Sequence, residues 1–474
     1  MPATDVRPTT RSRVWIVSLS ALVVYLLDSL IRHARFHTGF DLTIFDQAIN
    51  QYAHLRAPDV LVKSQQPFNI LGDHFHPILM LLAPLYRIWP DARMLLVAQA
   101  LLMALGVHLL TALAVRRLGR FGYFVGAGFA SSWGILQAVD FDFHEIAFAV
   151  PLLVLALEAL LDGRFTRVLM FSGLLMLVKE DSPLLVIGLA LALAAQRKYR
   201  QALLLGAFGV VSFVLIVFVV IPYFSYSHAY LYFGYAGGGS GGVGGLLRSA
   251  VDSVFSLRAV IFVGALALTA GLGLRSPVML VILPTLGARA VSSNYAYTGF
   301  LYHYNATLMV ICFVALCDGL ARQRLLGSAG SGRLLRAQSL LLAGVAVVGL
   351  VRAPTVPSIA AVFASCARCV AADAAIAQIP DGARVAADVF LMPHLVDRTQ
   401  VMQAYPGFVD STGLPLRADW VILDLDSTSY APGPLEKPAD QAGWSRTLLD
   451  SLVTSGHFTV VDRNAQYVVL RTVG

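Results

Sequence analysis

Met94-Leu-Leu-Val-Ala-Gln-Ala-Leu-Leu-Met-Ala-Leu-Gly-Val-His-Leu-Leu-Thr-Ala-Leu-Ala-Val115, with Arg116, Arg117 and Arg120 behind it, is the stretch that decides the fold. A bilayer core needs roughly 20 consecutive apolar residues, and this uncharged run is long enough to cross. The arginines that close it belong in the cytoplasm, because Lys and Arg near span ends set orientation. Upstream, His76 to Trp89 is short and bounded by Pro77 and Pro90, so an interfacial helix is expected there. Were that run a full span, Arg116, Arg117 and every later basic cluster would be turned outward. Upstream again, Arg7, Arg11 and Arg13 precede an apolar run from Val14 to Ile31 without a small-residue cleavage site, which reads as an uncleaved first helix.

Downstream, further crossings are expected near residues 121–139, 147–162, 165–178, 183–196, 201–221, 255–273, 277–291, 304–320 and 337–352, about eleven in all. On this threading Arg164, then Arg197, Lys198 and Arg200, then Arg322, Arg324, Arg333 and Arg336 fall on the side of the N-terminus, which obeys the positive-inside rule repeatedly. The composition agrees: 57% of residues are hydrophobic and 13% charged, outside the range of soluble domains. The net charge of +7 sits in short loops between apolar runs, which disfavours nucleic acid as a partner and points to membrane lipids. A multi-pass protein of the plasma membrane follows, with a cytoplasmic N-terminus.

The texture changes near Ala353. Pro354 and Pro357 precede strand-like segments at Arg384–Asp388, Trp420–Asp424 and Tyr467–Arg471. The expected organisation is an all-α polytopic bundle over residues 1–352 and a small α/β domain over 353–474, extracytoplasmic because the span count is odd. No internal repeat is evident.

Placing loops on sides gathers the acids and histidines outside. Phe40-Asp-Leu-Thr-Ile-Phe-Asp-Gln47 opens a juxtamembrane helix, with Ile44, Ala48, Tyr52 and Leu55 spaced for one face. Asp41 either serves chemistry or caps that helix; Asp46, five residues on, is only partly cofacial with it. Asp73, His74 and His76 have the residue types that hold a divalent metal or grip a phosphate, against the plainer reading of a solvated interfacial turn. Asp140-Phe-Asp-Phe-His-Glu145 puts Asp142, His144 and Glu145 at a span end, more carboxylates than an aromatic belt needs. Lys179, Glu180 and Asp181 form a triplet suited to internal pairing or to phosphate. Tyr302 and His303, and the aromatic segment Ser225–Tyr235 with its glycine-rich sequel, offer rings to stack on sugars. Cys366 and Cys369 are spaced for a local disulfide in an oxidising compartment, and a zinc site lacks a second pair.

Through Phe40–Gln47, Leu71–Pro77, Phe141–Glu145, Val178–Asp181 and Met392–Leu395, the chain resembles a family of predicted membrane proteins known as a domain of unknown function. That family looks like part of the GT-C superfamily of polyprenyl-phosphate-sugar glycosyltransferases. The resemblance implies a GT-C-like bundle with juxtamembrane helices in the first outer loop. It implies inverting transfer of a sugar from a polyprenyl-phosphate donor to a glycan or lipid acceptor. Asp41 with Phe45 is similar to the superfamily's acidic element, and His74 to Pro77 to its His-x-Pro-Pro element. Leu42 stands where a paired acid is usual and Ile78 where a second proline is, so the resemblance places the base at Asp41 or Asp46. Asp73, His74, His76, Asp142, His144, Glu145, Lys179, Glu180, Asp181, Tyr302 and His303 would then bind donor phosphate or substrate. The competing reading is a transporter or flippase, which would show paired halves and ionisable groups near the bilayer midplane.

Overall fold

A computed structural model describes residues 8–64, 67–232, 245–325, 337–344 and 364–473, apart from 405–417, 427–440 and isolated positions inside the later segments. The chain divides into two compact units: Met1–Leu27, Leu71–Ile78 and Ala98–Pro357 form one, and Asp28–Ile70, Leu79–Val97 and Ser358–Gly474 the other.

The first unit is helical. Among the described residues five helical stretches are long and apolar enough to cross a bilayer: Arg13–Ala34, Ala92–Ala130, Tyr199–Phe224, Leu257–Arg275 and His303–Gln323. The expected spans near 147–162, 165–178, 183–196 and 277–291 are also apolar helices, but of 10–17 residues. At 1.5 Å per residue these reach less than about 26 Å, short of the roughly 30 Å hydrocarbon core. The run expected at 121–139 is broken at Ser131 and Ser132 into helices Gly122–Ala130 and Trp133–Asp140. The final expected span, 337–352, and the glycine-rich loop lie largely outside the described residues.

The long stretch Ala92–Ala130 is a hairpin. Helix Ala92–Leu118 ends at Gly119, whose φ of 63° suits a residue without Cβ, and Gly122–Ala130 returns along it. Gly126 makes the return close: a Cβ there would stand 2.1 Å from Thr111 Oγ1. Small residues are what let helices approach in lipid, where apolar burial between them gains little.

Polar groups in this unit gather at opposite ends of the same helices. Glu145 precedes helix Ile146–Leu161, whose far end carries Glu158 bonded to Arg116, with Asp162 3.0 Å from Arg117. Asn305 precedes helix Ala306–Leu325, further along which Asp318 accepts from Ser276 at 2.6 Å and Arg322 at 2.7 Å.

The second unit holds a short antiparallel pair, β1 (Asp59–Val60) and β2 (Phe68–Asn69), and is built on a five-stranded mixed sheet. Its order is β4 (Gln400–Gln403), β3 (Arg384–Ala387), β5 (Trp420–Asp424), β7 (Tyr467–Thr472) and β6 (Phe458–Arg463), with β3 parallel to β4 and β5, and β7 antiparallel to β5 and β6. Strands β3, β5 and β7 fall where β-branched residues announce them. Strands β4 and β6 lie outside the segments that the sequence marks as strand-like, and β6 is exposed along most of its length.

The helix Phe40–Ala53, expected as a juxtamembrane helix, packs into this unit's core. Ile44 and Ala48 pack with Val385, Ala387, Met392, Val401 and Tyr467 in one apolar cluster. Gln47 pins it, donating to the Val401 carbonyl at 2.6 Å and accepting from the amides of Leu61 and Val62 at 2.9 and 3.2 Å. Leu55, expected on the same face, is 91% exposed, because the helix ends at Ala53 and Leu55 occupies a left-handed turn with φ 56°. The Met392–Leu395 motif lies in this unit too, its His394 ring stacked on His33 at 4.1 Å. Cys366 and Cys369 are disulfide-bonded at the start of helix Ala367–Ile376.

Candidate functional site

In the first unit, five segments far apart in sequence meet. His74, in the turn before Pro77, contacts Glu180 across 2.6 Å, and Glu180 also accepts from the Phe75 amide at 3.2 Å and the Tyr230 hydroxyl at 3.1 Å. Tyr232 donates to Asp73 at 3.1 Å while its ring stacks on His74 at 4.5 Å. Lys179 donates to Glu145 at 2.6 Å, and both are buried. His144 stacks on His303 at 3.9 Å, and Phe141 packs edge-on against Tyr302 at 4.5 Å.

Local backbone explains the positioning. Asp142 and Tyr302 adopt φ of 63° and 65°, sparsely populated for residues with side chains. Gln99 fixes the first of these turns, donating to the Asp142 carbonyl and accepting from the His144 amide at 2.9 Å. Phe141–Glu145 is thereby held as a rigid ledge instead of a solvated loop.

Electrostatics divide the carboxylates. Burial pushes Glu145 upward, but the Lys179 ammonium, with His144 and His76 beside it, outweighs that and holds its pKa at about 2. Burial lowers Lys179, and Glu145, Glu180 and Asp181 carry it back well above the usual lysine value. Burial likewise raises Glu180, and His74 more than reverses it. Asp181 has the opposite outcome: burial, with Glu180 and Glu145 nearby, raises it despite Lys179. His76 is buried and lowered to about 4, chiefly by loss of hydration. The triplet Lys179-Glu180-Asp181 thus contributes two groups to ion pairs and leaves Asp181 to the cavity.

That cavity, of about 260 Å³, is lined by Lys179, Glu180, Asp181, Tyr230, Tyr232, Arg289, Tyr297, His303 and Tyr304, with Leu184, Leu185 and Phe213 on its apolar side. Four of these residues, Lys179, Glu180, Asp181 and His303, are among the candidate site residues that the sequence singles out. Arg289 was missed, although a single arginine inside the apolar run 277–291 is a strong signal by itself. Tyr230 and Tyr232 fell within a recognised aromatic segment but were not assigned to the site. Among the described residues, no three His, Cys, Asp or Glu side chains converge as metal ligands; His74 engages Glu180, and Asp73 engages Tyr232.

Asp41 and Asp46 belong to the second unit. Asp41 is partly exposed in the first helical turn, and the residue before that helix, Gly39, provides no side-chain cap. Asp46 is fully buried, with neither carboxylate oxygen in a hydrogen bond of normal geometry. Burial raises its pKa to about 8; the neighbouring Tyr86 hydroxyl opposes that, and Asp91 and Asp397 add to it.

Residues 32–469 match a family model described as a predicted membrane protein, DUF2079. No curated protein matches the chain.

Proposed function

Since the chain belongs to DUF2079, a family of predicted membrane proteins, we propose that it transfers a sugar from a polyprenyl-phosphate carrier to an acceptor hydroxyl on the extracytoplasmic face, with inversion. The observation that carries this reading is the cavity of the first unit, lined by tyrosine rings, two carboxylates and buried cationic side chains together with apolar ones. Such a lining suits a ligand that is part sugar, part phosphate and part hydrocarbon. The arginine-bearing helix ends lie away from this cavity along the same helices, which supports a cytoplasmic place for them and an outer place for the site. Nucleotide sugars are cytoplasmic, so an outward-facing transferase takes a lipid-anchored donor.

In this reaction a carboxylate removes the acceptor proton, the acceptor oxygen bonds to the anomeric carbon, and the bond from that carbon to the phosphate oxygen breaks, polyprenyl phosphate leaving with the electron pair. The GT-C resemblance assigns the base to Asp41 or Asp46. Asp46 is fully buried, whereas Asp41 is partly exposed and open to an acceptor, so we place the role on Asp41. The test is turnover of purified chain with a polyprenyl-phosphate-linked sugar and candidate acceptors. Asp41→Asn is expected to lower kcat by roughly 10²–10⁴-fold, the usual worth of a positioned base. Undiminished turnover in both Asp41→Asn and Asp46→Asn would remove the helix Phe40–Ala53 from the chemistry. Net movement of the intact lipid across vesicles without sugar transfer would install the transporter reading instead.

A further inference from the structure

The helix Leu283–Val291 carries one charged residue, Arg289, and that residue lines the cavity. Its guanidinium is buried, donating to the Tyr297 carbonyl and Asn305 Oδ1, each at 2.9 Å, and to the Tyr304 carbonyl. All three acceptors are neutral. The other buried cation of this site, Lys179, has Glu145 against it, and His74 has Glu180. Arg289 has no carboxylate within ion-pair distance among the described residues, although Asp181 lines the same cavity. An arginine does not escape a dry site by losing its proton, so its charge persists there and asks for an opposite one.

His303 supplies a second, independent sign. It is buried and lines the same cavity, and among the described residues neither ring nitrogen has a hydrogen-bond partner. Its ring is clamped between His144 at 3.9 Å and Tyr304 at 4.2 Å, so it cannot readily turn away to find one. Arg289 holds the backbone of Tyr304 next door. A buried ring without a hydrogen-bond partner is costly and rare, and beside it on the same cavity stands a buried guanidinium with no carboxylate in ion-pair distance among the described residues; together they mark the place of an anionic ligand.

From these two groups we infer that Arg289 and His303 form the phosphate-binding end of the cavity. A planar guanidinium with unused N–H donors matches phosphate oxygens two at a time, and an imidazole N–H adds a third bond. Resting on the glycosyl-transfer reading, this assigns Arg289 to the donor's phosphate, the group whose charge grows as the sugar departs. Lys179, committed to Glu145, is then a positioning residue for the ledge and not the principal phosphate ligand.

The experiment is binding to the full chain in lipid nanodiscs, using undecaprenyl phosphate, uncharged undecaprenol and inorganic pyrophosphate as separate probes. Wild type is expected to prefer undecaprenyl phosphate over undecaprenol. Arg289→Lys, which keeps the charge and loses the fork, should weaken the phosphate lipid at least tenfold, and Arg289→Gln more, with undecaprenol binding unchanged. His303→Gln should cost a smaller factor. Should Arg289→Gln fail to fold, the charge-retaining variant with an unaltered melting curve decides. Equal binding of undecaprenyl phosphate by wild type and Arg289→Lys overturns the assignment while leaving the lipid-donor reading intact. Arg289-dependent binding of pyrophosphate alone, with the lipid ignored, upholds the anion site and overturns the lipid donor. Absence of binding by any probe to folded wild type overturns the assignment.

Discussion

At the scale of single residues, the site's charges are organised by pairing, and pairing makes their removal asymmetric. Lys179 and Glu145 form a buried pair whose side chains are 10% and 1% exposed. Replacing one partner strands the other charge in a dry environment, which costs about 3–5 kcal/mol, while replacing both with apolar groups is often close to neutral. Lys179→Met and Glu145→Met are therefore each expected to lower the melting temperature sharply, and the double variant to recover most of the loss. Additive losses in the double variant would mean that the two side chains do not depend on each other. Asp46 behaves differently because burial, with no cation beside it among the described residues, governs its carboxyl. Its folded pKa of about 8 lies above that of an unfolded aspartate, so the folded chain retains a proton that the unfolded chain releases. The contribution is fully present below about pH 4 and is lost as pH rises toward about 8. Asp46→Asn should remove that slope, gaining stability relative to wild type between those limits, as read from melting temperatures across pH 5–8. A wild-type curve that parallels the variant's would show Asp46 ionised normally. The motifs around these residues were legible from the sequence as polar islands between apolar runs. Their partners were not, since spacing along a chain says nothing about which of two acids meets a lysine.

At the scale of elements, periodicity identified helices well and their surroundings poorly. The spacing of Ile44, Ala48 and Tyr52 correctly marks a buried face of helix Phe40–Ala53, since all three are buried. What covers that face, strands more than 300 residues later in the chain, leaves no local trace. Leu55 fitted the same period and is exposed, because a helix end is decided by backbone conformation and not by the side chain's polarity. Arg289 illustrates the converse: the run around it reads as an apolar span, and the one charged residue that interrupts it lines the cavity. The glycines that set helix distances were also unread. Gly126 is closed off by Thr111, so Gly126→Ala must push the hairpin apart, and Thr111→Gly, which deletes the opposing side chain, should relieve it. Melting of Gly126→Ala alone and with Thr111→Gly tests this, and an undisturbed single variant would show that the two helices do not pack so closely.

At the scale of the whole molecule, hydropathy identifies the class at once, and length tests each crossing separately. Among the described residues five helical stretches meet the length for a crossing, and four further expected spans are apolar helices of 10–17 residues. Orientation is less sensitive to that count than it appears, because it also follows from which helix ends carry arginine. In helix Ile146–Leu161 the ledge and its buried Glu145 stand at one end, and the arginine-paired Glu158 and Asp162 at the other. The loop at Gly163 is therefore expected in the cytoplasm and Tyr226, 94% exposed, outside. The chain's own cysteines scarcely interfere with a labelling test, as Cys312 and Cys317 are buried and Cys366 and Cys369 are bonded together. In intact cells, a membrane-impermeant maleimide should modify Tyr226→Cys and spare Gly163→Cys until the membrane is opened. The reverse pattern would turn the cavity toward the cytoplasm, where soluble nucleotide sugars are at hand, and the physical reason for a lipid-carried donor would be gone even if Arg289 still bound phosphate.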